Sequence, residues 1–122
     1  MKHKFLVDLA YAFQDKVYCY FIIEYASGGD VYSLMSPLPK YTTKVEEFKS
    51  LGEDGVRFIM ASVVLGLECL HHHNLIYRDL KPENVLIFDD GYVKLTDFGL
   101  SKRVEEGDKT NSFAGTKLFL AP

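Results

Sequence analysis

The stretch Tyr77 to Asn84, YRDLKPEN, constrains the fold more than any other part of the chain. It places an acid, an ammonium group and an amide, those of Asp79, Lys81 and Asn84, within six positions. Pro82 breaks a helix and favours an extended or turning backbone, so we predict a loop here, called the polar loop (residues 77–84). Apolar residues flank this loop on both sides, and polar groups on a loop held between apolar elements can converge on one point.

A β-hairpin is predicted directly after the polar loop. Two strand-like runs, residues 85–88 and 92–96, are separated by the turn sequence Asp-Asp-Gly at 89–91. This hairpin would bring Asn84, before the first run, close to Asp97, after the second. Amide and carboxylate oxygens suit Mg²⁺, which takes few protein ligands and completes its shell with water and substrate phosphates. The pattern therefore indicates a site for a nucleotide and its metal.

Composition limits the class of protein. The chain has 122 residues, is 48% hydrophobic and 25% charged, and so allows at most one soluble globular domain. Its net charge of −3 and the absence of a basic block argue against a nucleic-acid partner. No apolar run is long enough to span a bilayer, and the start lacks the features of a signal peptide. We expect an intracellular, cytoplasmic protein with no membrane span.

The number and spacing of the cysteines suggest that the protein resides in a reducing compartment. Cys19 falls in a strand-like run and Cys69 in a helix-like one, and they form no CxxC pair. We expect two buried thiols rather than a disulfide.

These motifs resemble the protein kinases. Asp79-Leu80-x-x-x-Asn84 followed by Asp97-Phe98-Gly99 matches the catalytic motifs of that family. Tyr77 stands where most kinases have His, a replacement familiar in the AGC group, and KLTDFGLSK at 94–102 and SFAGT at 112–116 are similar to that group as well. The resemblance implies an α+β fold, a fragment of the two-lobed kinase domain that comprises the last small-lobe strands, the hinge and the front half of the helical large lobe.

The resemblance also divides the chain. Residues 1–24 would end the small lobe with a hairpin of two strands, 5–13 and 17–24, and residues 25–122 would hold the hinge, the catalytic loop and the activation segment. The Gly-rich loop, the Lys of the third strand and the Glu of helix C would lie upstream of Met1. We therefore expect a central part of a kinase domain.

The hinge segment, residues 24–30, would bind the adenine of ATP. Glu24 would offer its carbonyl and Ala26 its N–H, with Ile23 controlling access behind the adenine or simply packing as a core strand residue. Side chains are expected to matter little here.

Two further residues are placed near the nucleotide by the resemblance. Leu86 would floor the adenine pocket. Asp30 would contact the ribose and a basic substrate residue, or it would cap a short helix over residues 31–35.

The resemblance implies ATP and Mg²⁺ as cofactors and a catalytic role for three residues. Asp79 would accept or orient the proton of a substrate hydroxyl, and Lys81 would steady the γ-phosphate. Thr116 would hydrogen-bond both, which favours serine and threonine over tyrosine.

Three other residues would hold the metal and the substrate. Asn84 and Asp97 would bind Mg²⁺, and Glu83 would face a basic residue of the peptide. The implied partners are a protein or peptide with Ser or Thr near basic residues, and an upstream activating kinase.

Ser112 occupies the position that AGC kinases phosphorylate to order the activation segment, although it could be merely a loop serine. A phosphate there would add about −1.5 to −2 charges, and Arg78 is the nearest cation in the sequence that could hold it.

Other patterns concern structure. Residues 36–50 look like a surface insertion. An apolar stripe at helical spacing predicts a buried helix that needs packing partners; it comprises Val56, Ile59, Met60, Val63, Val64, Leu67 and Leu70. His71-His72-His73 suits a helix C-terminus better than a metal site. Tyr77, Phe98 and Leu9 would stack as a column that couples the lobes, or pack as ordinary core.

Three functional interpretations remain open. The chain can be a partial sequence of an active AGC-like serine/threonine kinase. It can instead be a truncated product that binds nucleotide or a full kinase with no turnover of its own, or a degenerate fragment. The unbroken set Asp79, Lys81, Asn84, Asp97 and Gly99 argues against decay.

Overall fold

The computed structural model describes residues 2–35, 52–105 and 114–120. The insertion predicted at 36–50 and the phosphorylation site predicted at Ser112 lie outside these residues. Two helices and three two-stranded sheets make up the described fold, with a 3₁₀ turn at Pro82–Asn84 and another at Lys117–Phe119. In chain order the elements are β1 (Leu9–Gln14), β2 (Cys19–Ile23), α1 (Val31–Met35), α2 (Glu53–His72), β3 (Leu75–Ile76), β4 (Val85–Ile87), β5 (Val93–Leu95) and β6 (Lys102–Arg103).

β1 and β2 form the predicted antiparallel hairpin, with Leu9 opposite Ile23 and Gln14 opposite Cys19. Asp15 stabilises the turn, because its Oδ1 accepts the N–H groups of Val17 and Tyr18, both at 2.7 Å. Both strands are exposed along their whole length.

The segment before β1 does not extend the hairpin, contrary to the prediction of a strand from Phe5. It runs parallel to β5 instead: Val7 N–H donates to the Leu95 carbonyl and Leu95 N–H donates to the Phe5 carbonyl, both at 2.9 Å. Leu6 and Leu95 are buried in this contact. Gly66 of α2 permits the close approach, since a Cβ there would lie 3.1 Å from both the Phe5 carbonyl and the Leu95 side chain.

The predicted helices are present, but the apolar stripe of α2 is only partly buried. Val63 and Leu70 belong to the core, whereas Val56, Met60 and Val64 are 47%, 51% and 58% exposed. The reason is that, among the described residues, β5 and residues 5–6 pack against one side of α2 and leave these three side chains uncovered. An apolar groove of about 620 Å³ opens on another side, between α1, α2 and the polar loop.

β4 and β5 form the hairpin predicted after the polar loop, with Val85 opposite Leu95 and Ile87 opposite Val93. Gly91 closes the turn with φ +82°, a conformation that glycine adopts without a steric cost. The sequence did not predict the other pairing, in which β3 runs antiparallel to β6. It brings the segment after Asp97 back alongside the end of α2.

The cysteines and histidines carry no metal cluster in the described part of the chain. Neither cysteine of the described residues forms a disulfide. The expectation of two buried thiols is wrong for Cys19, which is exposed because it lies on the uncovered hairpin, and Cys69 is half-buried. His73 Nδ1 lies 2.8 Å from the Cys69 carbonyl at the end of α2. Within the described ranges, no helix is long and apolar enough to cross a membrane.

Candidate active site

The polar loop converges on one buried carboxylate. Asp79 is 5% exposed. Its Oδ2 accepts hydrogen bonds from Lys81 Nζ at 2.8 Å and from Asn84 Nδ2 at 3.0 Å. Its Oδ1 accepts from Thr116, through the backbone N–H at 3.1 Å and the hydroxyl at 2.8 Å. Four donors therefore fix the orientation of this carboxylate.

Lys81 and Thr116 are also joined to each other. Lys81 Nζ donates to Thr116 Oγ1 at 3.1 Å, while the same hydroxyl donates to Asp79. The pKa of Asp79 is lowered, first by the Lys81 ammonium and then by Thr116 and Asn84, which together outweigh its burial. The pKa of Lys81 is raised, mainly by its hydrogen bond to Asp79. The pair is thus ionised at neutral pH.

Asn84 is oriented by the same carboxylate. Its Nδ2 donates to both the Oδ2 and the backbone carbonyl of Asp79, at 3.0 and 2.9 Å. This arrangement leaves Oδ1 as the Asn84 atom suited to a cation. This amide oxygen and the exposed carboxylate of Asp97 are oxygen donors of the kind that Mg²⁺ prefers.

Thr96 joins the two proposed metal ligands. Its N–H donates to the Asn84 carbonyl at 3.0 Å, and its carbonyl accepts a hydrogen bond from the Tyr77 hydroxyl. Asp97, the next residue, has φ +56° and accepts the Gly99 N–H on its Oδ1 at 3.2 Å.

Tyr77 is 2% exposed and packs edge-on against Phe98, with ring centroids 5.7 Å apart. Burial raises the pKa of Tyr77, and the charges of Asp97 and Asp79 raise it further, so the phenol remains a donor. Leu9, the third residue of the predicted column, is 54% exposed and lies outside the core cluster.

The hinge segment docks on β4 through its backbone. Gly28 N–H donates to the Ile87 carbonyl at 3.0 Å, and Ile87 N–H donates to the Gly29 carbonyl at 2.8 Å. Gly28 is required by this contact, because a Cβ there would lie 2.7 Å from Ile87 Cγ2.

Glu24 holds the hinge segment through its side chain, which the sequence interpretation treated as unimportant. One carboxylate oxygen accepts the Asp8 N–H at 2.7 Å, and the other forms an ion pair with Lys94 of β5. Burial raises the pKa of Glu24, but the Lys94 ammonium and the Asp8 N–H lower it more. Glu24 and Lys94 are 70 positions apart, so no local pattern in the sequence could have revealed their contact.

Asp30 and Glu24 both contact the β4–β5 hairpin, of which Leu86 is a part. Asp30 forms an isolated bridge with Leu86, and Leu86 lies opposite Lys94, the partner of Glu24. Asp30 also caps α1, since its carboxylate accepts the Ser33 N–H at 2.7 Å and the Ser33 hydroxyl at 3.0 Å. The capping role is therefore observed.

The remaining predicted site residues lie apart from these contacts. Ile23 is 45% exposed at the end of β2, so it is not a core strand residue among the described residues. The Ala26 carbonyl accepts the Gly29 N–H at 3.3 Å. Glu83 is exposed on the 3₁₀ turn.

Arg78, the proposed phosphate partner, uses its Nε to donate to the Leu100 carbonyl at 2.7 Å. This bond ties the polar loop to the segment after Asp97. It is another contact that the sequence did not predict.

The Asp79 carboxylate is fixed by lysine, threonine and an amide, and the hinge segment docks on the following hairpin. These features are those of a protein kinase domain. The chain belongs to the protein kinase domain family, whose family model matches residues 1–122. Its α+β fold is that of a partial kinase domain.

The relatives are AGC kinases. The chain is 43% identical over 122 residues to the serine/threonine-protein kinase sgk-1 of Caenorhabditis elegans, covering 99% of this chain and 24% of that protein. It is 42% identical over 120 residues to the cAMP-dependent protein kinase catalytic subunit of Dictyostelium discoideum, covering 98% and 17%. It is 42% identical over 123 residues to human ribosomal protein S6 kinase alpha-1, covering 100% and 15%. The chain thus spans a quarter or less of the length of these relatives.

Proposed function

We propose that the polar loop transfers the γ-phosphoryl group of ATP to serine or threonine hydroxyls of a protein substrate. The observation that carries this proposal is the Asp79 carboxylate, held on one oxygen by Thr116 and on the other by Lys81 and Asn84. Catalysis of phosphoryl transfer is mainly positioning and charge stabilisation. A carboxylate fixed by four donors is suited to positioning.

Asp79 would orient the substrate hydroxyl and accept its proton. Its lowered pKa keeps it ionised at neutral pH, as an acceptor must be. Lys81 would stabilise the γ-phosphate during its transfer to the acceptor oxygen. The Lys81 ammonium is close enough for this role, since it lies 2.8 Å from Asp79. Thr116 links the two and would shape the site for a small aliphatic hydroxyl.

Asn84 and Asp97 would hold Mg²⁺ through Oδ1 and a carboxylate oxygen. When bound, the ion would supply positive charge that offsets the negative charge of the phosphates. Ile23, Glu24, Ala26 and Leu86 would surround the adenine. Asp30, already engaged by Ser33, would reach the ribose only with the oxygen lone pairs that capping leaves over.

Glu83 would bind a basic residue of the substrate, because it is exposed on the 3₁₀ turn, two positions from Lys81. Ser112 would be phosphorylated by an upstream kinase, and we place Arg78 as a partner of that phosphate. The function would be intracellular.

The test measures phosphate transfer from labelled ATP to a basic serine peptide, using the complete natural product of the gene that contains this sequence. Asp79→Asn should lower kcat by about 10²- to 10⁴-fold, the contribution of a placed general base. Asp89→Asn, an exposed acid in the β4–β5 turn, is the matched control and should leave the rate unchanged. Equal rates for Asp79→Asn and the parent protein would refute the assignment.

The same preparation tests the second interpretation, a product that binds nucleotide without turnover. Its motivation is the exposed apolar surface of β1, β2 and α2, which leaves room for a protein partner. Mg²⁺-dependent ATP binding with no transfer to serine, threonine or tyrosine peptides would favour that interpretation.

A further inference from the structure

The hinge segment is tied at both of its ends to the β4–β5 hairpin. At its start, the Glu24 carboxylate forms an ion pair with Lys94 of β5. At its end, residues 28–30 pair with residues 86–87 of β4 through backbone contacts. Leu86 and Lys94 lie opposite each other in the hairpin, so the two points of attachment are adjacent.

Further contacts restrain both members of the ion pair. The second carboxylate oxygen of Glu24 accepts the Asp8 N–H at 2.7 Å, and the residue before it, Val7, is hydrogen-bonded to β5 at 2.9 Å. Lys94 Nζ lies 4.6 Å from the centroid of the Phe88 ring, within the range of a cation–π contact. Both oxygens of Glu24 are thus bonded to groups that the hairpin holds in place.

The ion pair lies beside the surface proposed to carry the adenine. Opposite residues of an antiparallel pair point to the same face of the sheet, so Lys94 shares a face with Leu86, the proposed floor of the adenine pocket. The groups proposed to bind the adenine edge are the Glu24 carbonyl and the Ala26 N–H. They lie between the two attachments, where the Ala26 carbonyl also accepts the Gly29 N–H at 3.3 Å.

A carbonyl and an N–H held in fixed positions distinguish purines by their edge. Adenine presents an amino donor at its six-position and an acceptor at the neighbouring ring nitrogen. Guanine and hypoxanthine present a carbonyl oxygen and a ring N–H there, which is the reverse pattern. A fixed site rejects the reverse pattern because its polar groups are left unpaired, whereas a hinge that can shift reduces that cost. Selectivity therefore depends on how firmly the hinge segment is held.

We propose that the ion pair between Lys94 and Glu24 is the contact that makes the site selective for adenine nucleotides over 6-oxopurine nucleotides, because it fixes the start of the hinge segment on the β4–β5 hairpin. Lys94 is a positioning residue, since it acts through the main chain of Glu24. This inference rests on the proposed function, because it takes the hinge segment as the adenine site. An ion pair with only a structural role would change stability and leave the selectivity for purines unaltered.

The test compares ATP with inosine triphosphate, in which a carbonyl oxygen replaces the amino group of adenine. Displacement of a fluorescent ATP analogue from the complete gene product, at saturating MgCl₂, gives both dissociation constants. Lys94→Met removes the ammonium group and keeps a long side chain, whereas Lys94→Arg keeps the charge. Lys16→Met, in the exposed β1–β2 turn, is the control for loss of a lysine. Val63→Ala, in the core, is the control for loss of stability.

Lys94→Met should lower the ratio of the dissociation constants, inosine triphosphate over ATP, about tenfold, which is equivalent to about 1.4 kcal/mol. Most of this change should come from weaker ATP binding. Lys94→Arg should stay within about threefold of the parent ratio, since it retains a charge-assisted bond, and both controls should match the parent. A lowered melting temperature with an unchanged ratio in Lys94→Met would overturn the proposal, as would an equal fall of the ratio in Val63→Ala.

A second variant keeps the proposal testable if Lys94→Met does not fold. Glu24→Gln removes the charge that pairs with Lys94 and keeps an oxygen for the Asp8 N–H, so it should lower the ratio about threefold. An unchanged ratio in whichever variant folds would refute the inference, and so would a parent protein that binds both nucleotides equally. Failure of the parent protein to bind ATP with Mg²⁺ would instead refute the proposed function.

Discussion

Thr116 lies 37 positions from Asp79 in the sequence, yet its hydroxyl donates a 2.8 Å hydrogen bond to Asp79 Oδ1. The same oxygen of Thr116 accepts from Lys81 at 3.1 Å. The end of the described chain is thus joined to the polar loop by a side chain that contacts both members of the ion pair.

Removing the Thr116 hydroxyl should weaken catalysis more than folding. We expect Thr116→Ala to lower kcat/KM for a serine peptide about tenfold, because a hydrogen bond to a charged group contributes about 1.5 kcal/mol. Thr116→Ser keeps the hydroxyl and should stay within about threefold of the parent protein. Steady-state kinetics on the three proteins measures this, and similar values for Ala and Ser would contradict it.

The ion pair between Asp79 and Lys81 makes a prediction about pH. The pKa of Asp79 is lowered in the folded protein, so its ionised form stabilises the fold above the unfolded pKa of about 3.9. That stabilisation is lost as the pH falls through the lower folded pKa. Lys81→Met should raise the Asp79 pKa and start acid unfolding at a higher pH.

Carbon-13 NMR of labelled aspartate carboxyls, with circular dichroism during acid titration, measures both quantities. Lys16→Met, in the exposed β1–β2 turn, is the control and should leave the Asp79 pKa in place. If the pKa of Asp79 is unchanged in Lys81→Met, the Lys81 ammonium is not the main cause of the lowered Asp79 pKa.

Glu24 and Lys94 should show a charge-specific coupling. The pair is partly buried, with side chains 31% and 15% exposed, so Lys94→Met leaves a carboxylate with only the Asp8 N–H. We expect a loss of about 1–2 kcal/mol, between the values for exposed and buried pairs. The double variant Glu24→Lys with Lys94→Glu should recover part of that loss in chemical denaturation. Strictly additive effects would exclude a direct interaction.

Gly28 should resist substitution for steric reasons. A Cβ at Gly28 would lie 2.7 Å from Ile87 Cγ2 and 2.9 Å from the Ile87 carbonyl oxygen. Gly28→Ala should therefore displace the hinge segment and cost about 1–3 kcal/mol.

Gly52→Ser is the matched control, because nothing lies within 4 Å of a Cβ at Gly52 and serine is a favourable residue at this helix N-cap. Thermal unfolding of both variants provides the comparison. Equal melting temperatures would show that the Ile87 contact yields without cost.

Local sequence determined the elements and the chemistry of the polar loop. The Asp-Asp-Gly turn was sufficient for the β4–β5 hairpin, and Asp30 before an apolar run was sufficient for the capped helix α1. The kinase motifs indicated the family, and the match to the protein kinase domain confirms it. These features depend on turn chemistry, capping and residue type, which act over a few positions.

Tertiary structure alone decided which side chains meet over long distances. The hydrophobic pattern predicted that Val56, Met60 and Val64 are buried, but such a pattern does not show which side of the helix is covered by neighbouring elements. It also assigned Phe5 to a strand of the first hairpin, whereas backbone hydrogen bonds to Leu95 place that segment alongside β5.

The sequence by itself thus determined the family and the polar groups Asp79, Lys81 and Asn84, because their types and spacing lie within one loop. Only the folded chain decided that Tyr77 bonds to Thr96 and that Glu24 pairs with Lys94. The physical reason is that a hydrogen bond or ion pair forms where two groups come within about 3 Å, and that distance is set by how the hinge segment, the polar loop and the β4–β5 hairpin pack together.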